Sequence, residues 1–161
     1  MILLEMGRRD QAYYTKWTCL ENAGKETNKK QIDSLINLKR KLNEINLDIL
    51  EKIVKDYGWP KKSKTGNASG CAFFVIQHQD DVAIQKKYLP YLEKVLKEKE
   101  IWPDEYAGLV DRILLKEGFK QKYGTQSQFN PQTNSFELAP VESIEEVNKN
   151  RKIIGMDLLN Y

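Results

Sequence analysis

The most apolar stretch of the chain is a short run at residues 71–76 that ends abruptly in a polar cluster. The run reads Cys-Ala-Phe-Phe-Val-Ile, and soon after it comes His78, the only histidine among the 161 residues. An element that is apolar on every side is a buried one. Six such residues fit a buried strand or a buried helix, and periodicity cannot separate the two. A helix is favoured because the flanking segments are helical and Asn67 or Ser69 can cap its start. The sequence therefore predicts a fold organised around a buried central helix.

Composition and charge limit the class of protein. The chain has 40% hydrophobic and 30% charged residues, which fits one soluble globular domain with a real core. No apolar stretch approaches the roughly 20 residues of a membrane span. The 26 basic and 23 acidic residues are interspersed, and the lysines at 61, 62 and 64 form a local basic cluster. We therefore expect no nucleic-acid partner and no membrane span. The expected compartment is the cytoplasm, with export left open if an upstream signal was removed.

Sequence motifs for metals and cofactors are missing. The chain has no CxxC, HExxH, Walker or GxSxG motif, so the cofactor is unknown and none is implied. Its two cysteines, Cys19 and Cys71, give no disulfide framework, and Cys71 is expected in the core. With one histidine, any metal would rest on carboxylates together with His78. We assign no metal ligands.

Apolar residues recur at helical spacing through most of the chain. The predicted helices cover residues 2–22, 30–43, 47–57, 82–100, 103–117 and 143–154. Residues 22–30 are expected to form a turn, and residues 43–46 to break the second helix from the third. Gly58 and Pro60 end the third helix, and Trp59 beside them is expected to cover the core or to wall a pocket. Pro90 predicts a kink or a fresh helix start within residues 82–100.

The C-terminal third changes character after Gly118. Residues 130–134, Asn-Pro-Gln-Thr-Asn, are typical of a turn, and they predict a two-stranded hairpin of residues 125–129 with 135–138. Ser143 and Glu146 have the spacing of a capping box, and Gly155 is a C-terminal stop. The expected fold class is mainly α: a single helical domain over residues 1–161. Residues 1–45 are a candidate helical arm, and residues 123–139 are the hairpin insertion.

Several polar pairs and turns occur in a recognisable order along the chain. They are Asp10-Gln11, Gly58-Trp59-Pro60, Gln77-His78-x-Asp80, Gln85 with Leu89-Pro90, Asp111-Arg112, Gln121 with Tyr123-Gly124-Thr125-Gln126, and Asn150-Arg151. With this ordered set, the chain resembles a bacterial family of uncharacterised domains from about residue 6 to residue 161. The resemblance implies a mainly helical domain patterned on these polar positions, and it supplies no activity or cofactor.

The polar set predicts a pocket where the end of the central helix meets the turn at residues 123–126. Burying such groups without partners costs about 1–3 kcal/mol each, so they must meet one another, water or a ligand. The catalytic candidates are His78 as a general acid or base, with Asp80 or Asp111 orienting it. The candidates for binding a small polar or anionic molecule are Gln77, Gln85, Arg112, Gln121, Tyr123, Thr125 and Gln126. A hydrolytic reaction with activated water is the mildest enzymatic hypothesis, since no convincing nucleophile is present.

Two other interpretations remain open at this stage. In one, the chain is a protein-interaction module whose hairpin tip, residues 130–134, contacts a partner together with Trp59 or Trp102. In the other, the polar set is a hydrogen-bond network that fixes the packing of the helices. Under that interpretation, replacing Gln77 or Gln85 destabilises the fold without any effect on a ligand.

Overall fold

The computed structural model of the protein describes residues 1–22 and 29–160, and the side chains of residues 1–12 and 30–160. The fold is mainly helical, with a small antiparallel hairpin in its C-terminal part, as predicted. The chain divides into two compact units, Met1–Asp80 and Asp81–Tyr161. The organisation into one domain, with an arm and an insertion, stays a prediction.

The first unit is built from helices. They are α1 (Ile2–Asn22), α2 (Lys29–Tyr57), the short α3 (Lys62–Thr65) and α4 (Ser69–Gln77), with a 3₁₀ turn, Gly66–Ala68, before α4. The apolar run forms α4, as predicted, and this helix packs against α1 and α2. Its start differs from the prediction, because the N-cap is Ala68 and no side chain caps it. Phe74 keeps 37% exposure, so α4 is buried on most of its surface and not on every side.

Helices α1 and α4 approach each other closely at Gly7. A Cβ at Gly7 would lie 2.5 Å from the Sγ of Cys71, closer than atoms in contact can come. Glycine at this position therefore lets the two helices meet. Cys71, which the sequence placed in the core, is half-buried. The position of Cys19 lies outside the described side chains.

The predicted break at residues 43–46 is wrong, because α2 runs as one helix of 29 residues. Asn43 and Asn46 are both buried. The Asn46 side chain donates to the Met6 carbonyl of α1 at 3.2 Å, and that of Asn43 donates to the His78 carbonyl at 3.1 Å. These long-range bonds offset the low helix propensity of asparagine. The predicted turn at residues 22–30 lies largely outside the described residues.

Gly58 ends α2 as predicted, with a φ of +76°. The segment that follows Gly58 contains α3 and the 3₁₀ turn. Trp59 is 4% exposed, in agreement with a side chain that covers the core.

The second unit begins with α5 (Val82–Lys97) and α6 (Pro103–Lys116). The Asp81 side chain caps α5 by accepting from the Ala83 N–H at 2.8 Å. Helix α5 continues through Pro90, so the alternative of a fresh helix start there is wrong. Gly118, with a φ of +83°, follows the end of α6.

The hairpin and the last helix complete this unit. Strand β1 (Ser127–Asn130) pairs with β2 (Ser135–Leu138), with Ser127 opposite Leu138. Helix α7 (Ile144–Ile154) is capped by the Ser143 hydroxyl, which accepts from the Glu146 N–H at 3.1 Å, and Gly155 stops it. Beyond this helix, the Leu158 side chain is 52% exposed.

Candidate functional site

The imidazole of His78 lies at the end of α4, and its partner is a carboxylate of α1. The Nδ1 atom of His78 is 2.7 Å from the Oδ1 atom of Asp10, a residue 68 positions earlier in the chain. The His78 side chain is 17% exposed and that of Asp10 only 5%. A carboxylate in its ionised form accepts hydrogen bonds and cannot donate them, so the tautomer that complements it is the one with the proton on Nδ1. The other ring nitrogen, Nε2, is then the basic atom of the imidazole.

Three helices hold this pair in place. The second carboxylate oxygen of Asp10 accepts from the Gln11 amide at 3.0 Å, so both of its oxygens are engaged. The His78 ring is stacked on Phe74 of α4, with 5.9 Å between ring centroids and 13° between planes. The Asn43 side chain of α2 donates to the His78 carbonyl. The imidazole is thus fixed from α1, α2 and α4, which is the support that an acid–base group requires.

Cys71 lies near this pair on the same helix as Phe74. Burial raises the pKa of the Cys71 thiol, a backbone hydrogen bond at Gly7 opposes this, and the negative charge of Asp10 raises it further. The thiolate is the nucleophilic form of cysteine, and a raised pKa keeps the thiol protonated at neutral pH. Cys71 is therefore poorly suited to act as a nucleophile.

The other candidates of the first unit are Gln77 and Asp80. Gln77 is the last residue of α4 and is half-buried. Asp80 is exposed, and its carboxylate lies 3.3 Å from the Lys39 ammonium. Exposed ion pairs of this kind contribute between 0 and about 1 kcal/mol. The carboxylate that hydrogen bonds to the imidazole ring is thus that of Asp10, which sequence reasoning had left out of the site.

Asp111 is the centre of a second polar cluster, in the second unit. Its carboxylate is fully buried and accepts four hydrogen bonds. Oδ1 accepts from the N–H groups of Lys122 and Tyr123 at 2.7 and 2.9 Å. Oδ2 accepts from the N–H and the hydroxyl of Thr125, each at 2.9 Å. A carboxylate has about four acceptor sites, so this one is saturated by the turn that follows α6.

Gln121 and Gln126 extend the cluster toward the hairpin. The Gln121 amide donates to the carbonyls of Gln126 and Ala139, at 3.0 and 2.7 Å, and accepts from the Gln126 N–H at 2.7 Å. The Gln126 side chain donates to the Thr125 hydroxyl and accepts from the Arg112 guanidinium at 3.3 Å. These bonds tie residues 121–126 to the segment after β2.

Tyr123 and Gln85 are the remaining candidates of the second unit. Burial raises the pKa of Tyr123 to about 12, and nearby Tyr106 and Asp111 add to the shift. The Tyr123 carbonyl accepts from the Arg151 guanidinium of α7 at 2.8 Å. Gln85 of α5 is fully buried and accepts from the Lys116 ammonium of α6 at 3.3 Å, as a buried glutamine requires.

The sequence was compared with models of known protein families. A family of unknown function, DUF6624, matches residues 2–161. The chain belongs to the DUF6624 family. No curated protein and no solved structure matches it. The resemblance to a family of uncharacterised domains over nearly the whole chain is thus confirmed.

Two kinds of feature are absent from the part of this DUF6624 chain that the structure describes. Among its described residues, no three or more His, Cys, Asp or Glu side chains are grouped so as to hold a metal ion. None of the helices that the structure describes is both long enough and apolar enough to cross a membrane.

The predicted site residues of the DUF6624 chain fall into the two units. Asp111, Arg112, Gln121, Tyr123, Thr125 and Gln126 form one hydrogen-bonded cluster in the second unit, and His78 forms a pair with Asp10 in the first. The pocket predicted to combine His78 with the turn at residues 123–126 stays a prediction. Asp10 could have been found from its sequence context, because Asp10-Gln11 interrupts the apolar pattern of α1 as a polar pair.

Proposed function

We propose that the first unit acts on a small polar ligand through His78 and Asp10, and that the reaction is a hydrolysis in which His78 activates water. The observation that supports this most strongly is the 2.7 Å hydrogen bond between His78 Nδ1 and the buried Asp10 carboxylate. A histidine oriented by a carboxylate is a common general base, because the carboxylate fixes the tautomer and stabilises the imidazolium that forms.

The proton balance of the proposed reaction is simple. Water gives a proton to Nε2 of His78 as its oxygen attacks the electrophilic carbon or phosphorus of the ligand. The bond between this carbon or phosphorus and the leaving group then breaks, and the imidazolium returns the proton to the leaving group, so the imidazole ends neutral as it began. His78 stands at the C-terminal end of α4. This position stabilises the imidazolium form, because the C-terminal end of a helix favours a positive charge.

The second unit has a structural role in this proposal. The Asp111 carboxylate has its acceptor sites filled by the turn at residues 122–125, which leaves it poorly suited to exchange a proton with a ligand. Gln121 likewise has both amide hydrogens and its oxygen engaged with the backbone. Satisfied polar networks of this kind fix one arrangement of a fold. The contacts around Asp111 thus support the earlier alternative of a hydrogen-bond network for this part of the polar set.

The first test uses the single histidine as a probe. Nitrogen-15 NMR of the His78 ring distinguishes the two neutral tautomers, and only one histidine contributes. We expect the Nδ1–H tautomer in the natural protein and a loss of this preference in Asp10→Asn. Asp80→Asn is the matched control, because Asp80 is a neighbouring but exposed carboxylate. A ring that shows no response to pH, or equal effects of the two Asp→Asn variants, would refute the proposed pair.

The second test measures the reaction. Nitrophenyl esters of small polar acids and nitrophenyl phosphates serve as probe substrates. Their turnover is compared between the natural protein and the His78→Gln variant. General acid–base catalysis contributes about 10²–10⁴-fold, so His78→Gln should lower kcat/KM by at least about 100-fold, and Asp10→Asn by less. Both variants should retain the melting temperature within a few degrees. Turnover that survives in His78→Gln, or a melting temperature that collapses in it, contradicts a catalytic role.

The hairpin favours a second function, binding of a protein partner. Phe129 and Phe136 face each other across the two strands, with 5.5 Å between ring centroids, and are 51% and 75% exposed. Aromatic residues are enriched at protein interfaces. Affinity capture with a Phe129→Ser, Phe136→Ser variant tests this function. A partner that is lost with this variant and retained with His78→Gln supports it, and a partner retained with both contradicts it.

A further inference from the structure

A groove in the first unit lies apart from the residues of the His78–Asp10 pair. It has a volume of about 760 Å³. Its walls are the first four residues of the chain, Ile53 and Tyr57 near the end of α2, and part of the segment that follows: residues 58–61, 64, 65 and 68. Trp59 contributes an aromatic wall, so it both covers the core and lines a pocket. This volume lies within the range of roughly 300–1,000 Å³ that is typical of small-molecule sites.

The lining combines apolar surface with positive charge. Aliphatic and aromatic side chains make up most of it, and Ile2, Leu4 and Tyr57 are themselves exposed. The charged side chains among the lining residues are those of Lys61 and Lys64, and both are basic. The shape and the charge thus complement a molecule with an apolar tail and an anionic head.

The lysines are carried by an ordered segment. The Lys61 carbonyl accepts from the N–H groups of Lys64 and Thr65, each at 3.0 Å, and from the Thr65 hydroxyl at 3.0 Å. These bonds form the turn that begins α3. Both lysines are therefore placed at the groove by the backbone and do not depend on a long mobile loop.

From these features we infer that the groove binds a free aliphatic carboxylate, with its chain against Trp59 and Tyr57 and its head at Lys61 and Lys64. The groove offers apolar contact for the tail, and burial of each methylene contributes about 0.8 kcal/mol, or about a fourfold gain in affinity. The two ammonium groups offer charge-assisted bonds to the carboxylate. Such a site does not need His78, so this inference is independent of the proposed hydrolytic function.

The test is calorimetric titration of the full chain with octanoate and decanoate below their micelle concentrations. We expect decanoate to bind up to about 16-fold more tightly than octanoate, from two added methylenes. Decanol, which has the same chain without the charge, should bind more weakly than decanoate.

The double variant Lys61→Gln, Lys64→Gln should weaken the binding of decanoate about tenfold. Lys62→Gln is the matched control, since Lys62 belongs to the same basic cluster but does not line the groove. Its effect should stay within about twofold.

A separate experiment tests whether decanoate binds in this groove. The chain has three tryptophans, and a Trp59→Phe variant identifies the indole N–H signal of Trp59 in the spectrum of the natural protein. We expect this signal to move with decanoate, and Ala68→Phe, which places a ring into the groove, to prevent binding. Failure of decanoate to bind, equal binding of decanol, or equal effects of the lysine variants would overturn the inference. So would lysine-dependent binding to anionic phospholipid vesicles alone, which would assign the surface to a membrane.

Discussion

Replacement of Asp111 by asparagine tests whether the cluster of the second unit is a structural network. Asparagine has nearly the same shape, but it presents an amide N–H₂ in place of one carboxylate oxygen. If its oxygen keeps the bonds from Lys122 and Tyr123, its nitrogen faces the backbone N–H of Thr125, which is then a donor without an acceptor. If the amide is reversed, two backbone donors lose their acceptor instead.

The magnitude follows from these contacts. An unsatisfied buried donor costs about 1–3 kcal/mol. The remaining hydrogen bonds are also weaker, because their acceptor no longer carries a negative charge. We expect Asp111→Asn to lower the free energy of unfolding by about 3 kcal/mol. For a chain of this length, this corresponds to a fall of about 10 °C in melting temperature. Asp111→Ala removes all four acceptor contacts and should cost more.

Thermal unfolding followed by circular dichroism measures this effect. Asp157→Asn is the control, because Asp157 lies in the same unit and is exposed, so its variant should melt within about 2 °C of the natural protein. An Asp111→Asn variant that melts as the natural protein does would refute the structural role. If that same variant also lost hydrolytic activity, Asp111 would return to the catalytic hypothesis.

Two further predictions concern the same unit. The pKa of Tyr123 is raised from 10.0 to about 12 by burial, so the fold favours the neutral phenol. Stability should therefore be complete below pH 10 and fall between pH 10 and 12, and thermal melts of Tyr123→Phe should show a smaller alkaline loss. Gly124 has a φ of +63°, and a Cβ there would lie 2.9 Å from a methyl carbon of Leu159. Gly124→Ala should thus destabilise by about 2–4 kcal/mol in urea unfolding, whereas Gly118→Ala, with positive φ but open space, should cost about 1 kcal/mol. Equal losses for the two alanines would contradict the steric part of this prediction.

Elements with local signals were predictable from the sequence. The capping serine of α7, at Ser143, and the glycine that stops this helix need only neighbouring residues, and both behave as expected. The hairpin is found with its second strand in place and its first strand at Ser127–Asn130, two residues later than predicted at its start. Local propensities fix such features because the groups that interact lie within a few residues of one another.

Features that depend on distant contacts were missed or placed wrongly. The asparagines at 43 and 46 predicted a break, yet each stays helical because its side chain donates to another segment of the fold. Pro90 left a kink or a new helix start open, and the new start is wrong because the helix continues through Pro90 as one element. Side-chain partners across 35 or 40 residues leave no trace in local periodicity.

The candidate site divides in the same way. The sequence alone determined that His78 would stand directly after the most apolar run of the chain, because the run before it and the polar residues after it are adjacent. It also singled out Asp111 and the turn at residues 121–126 as polar groups that must find partners. Only the tertiary structure decided which partners they have, since the packing of α1 against α4 brings Asp10 to His78 across 68 residues. A hydrogen bond requires atoms within about 3 Å, and for residues far apart in the chain that distance is set by how the helices pack.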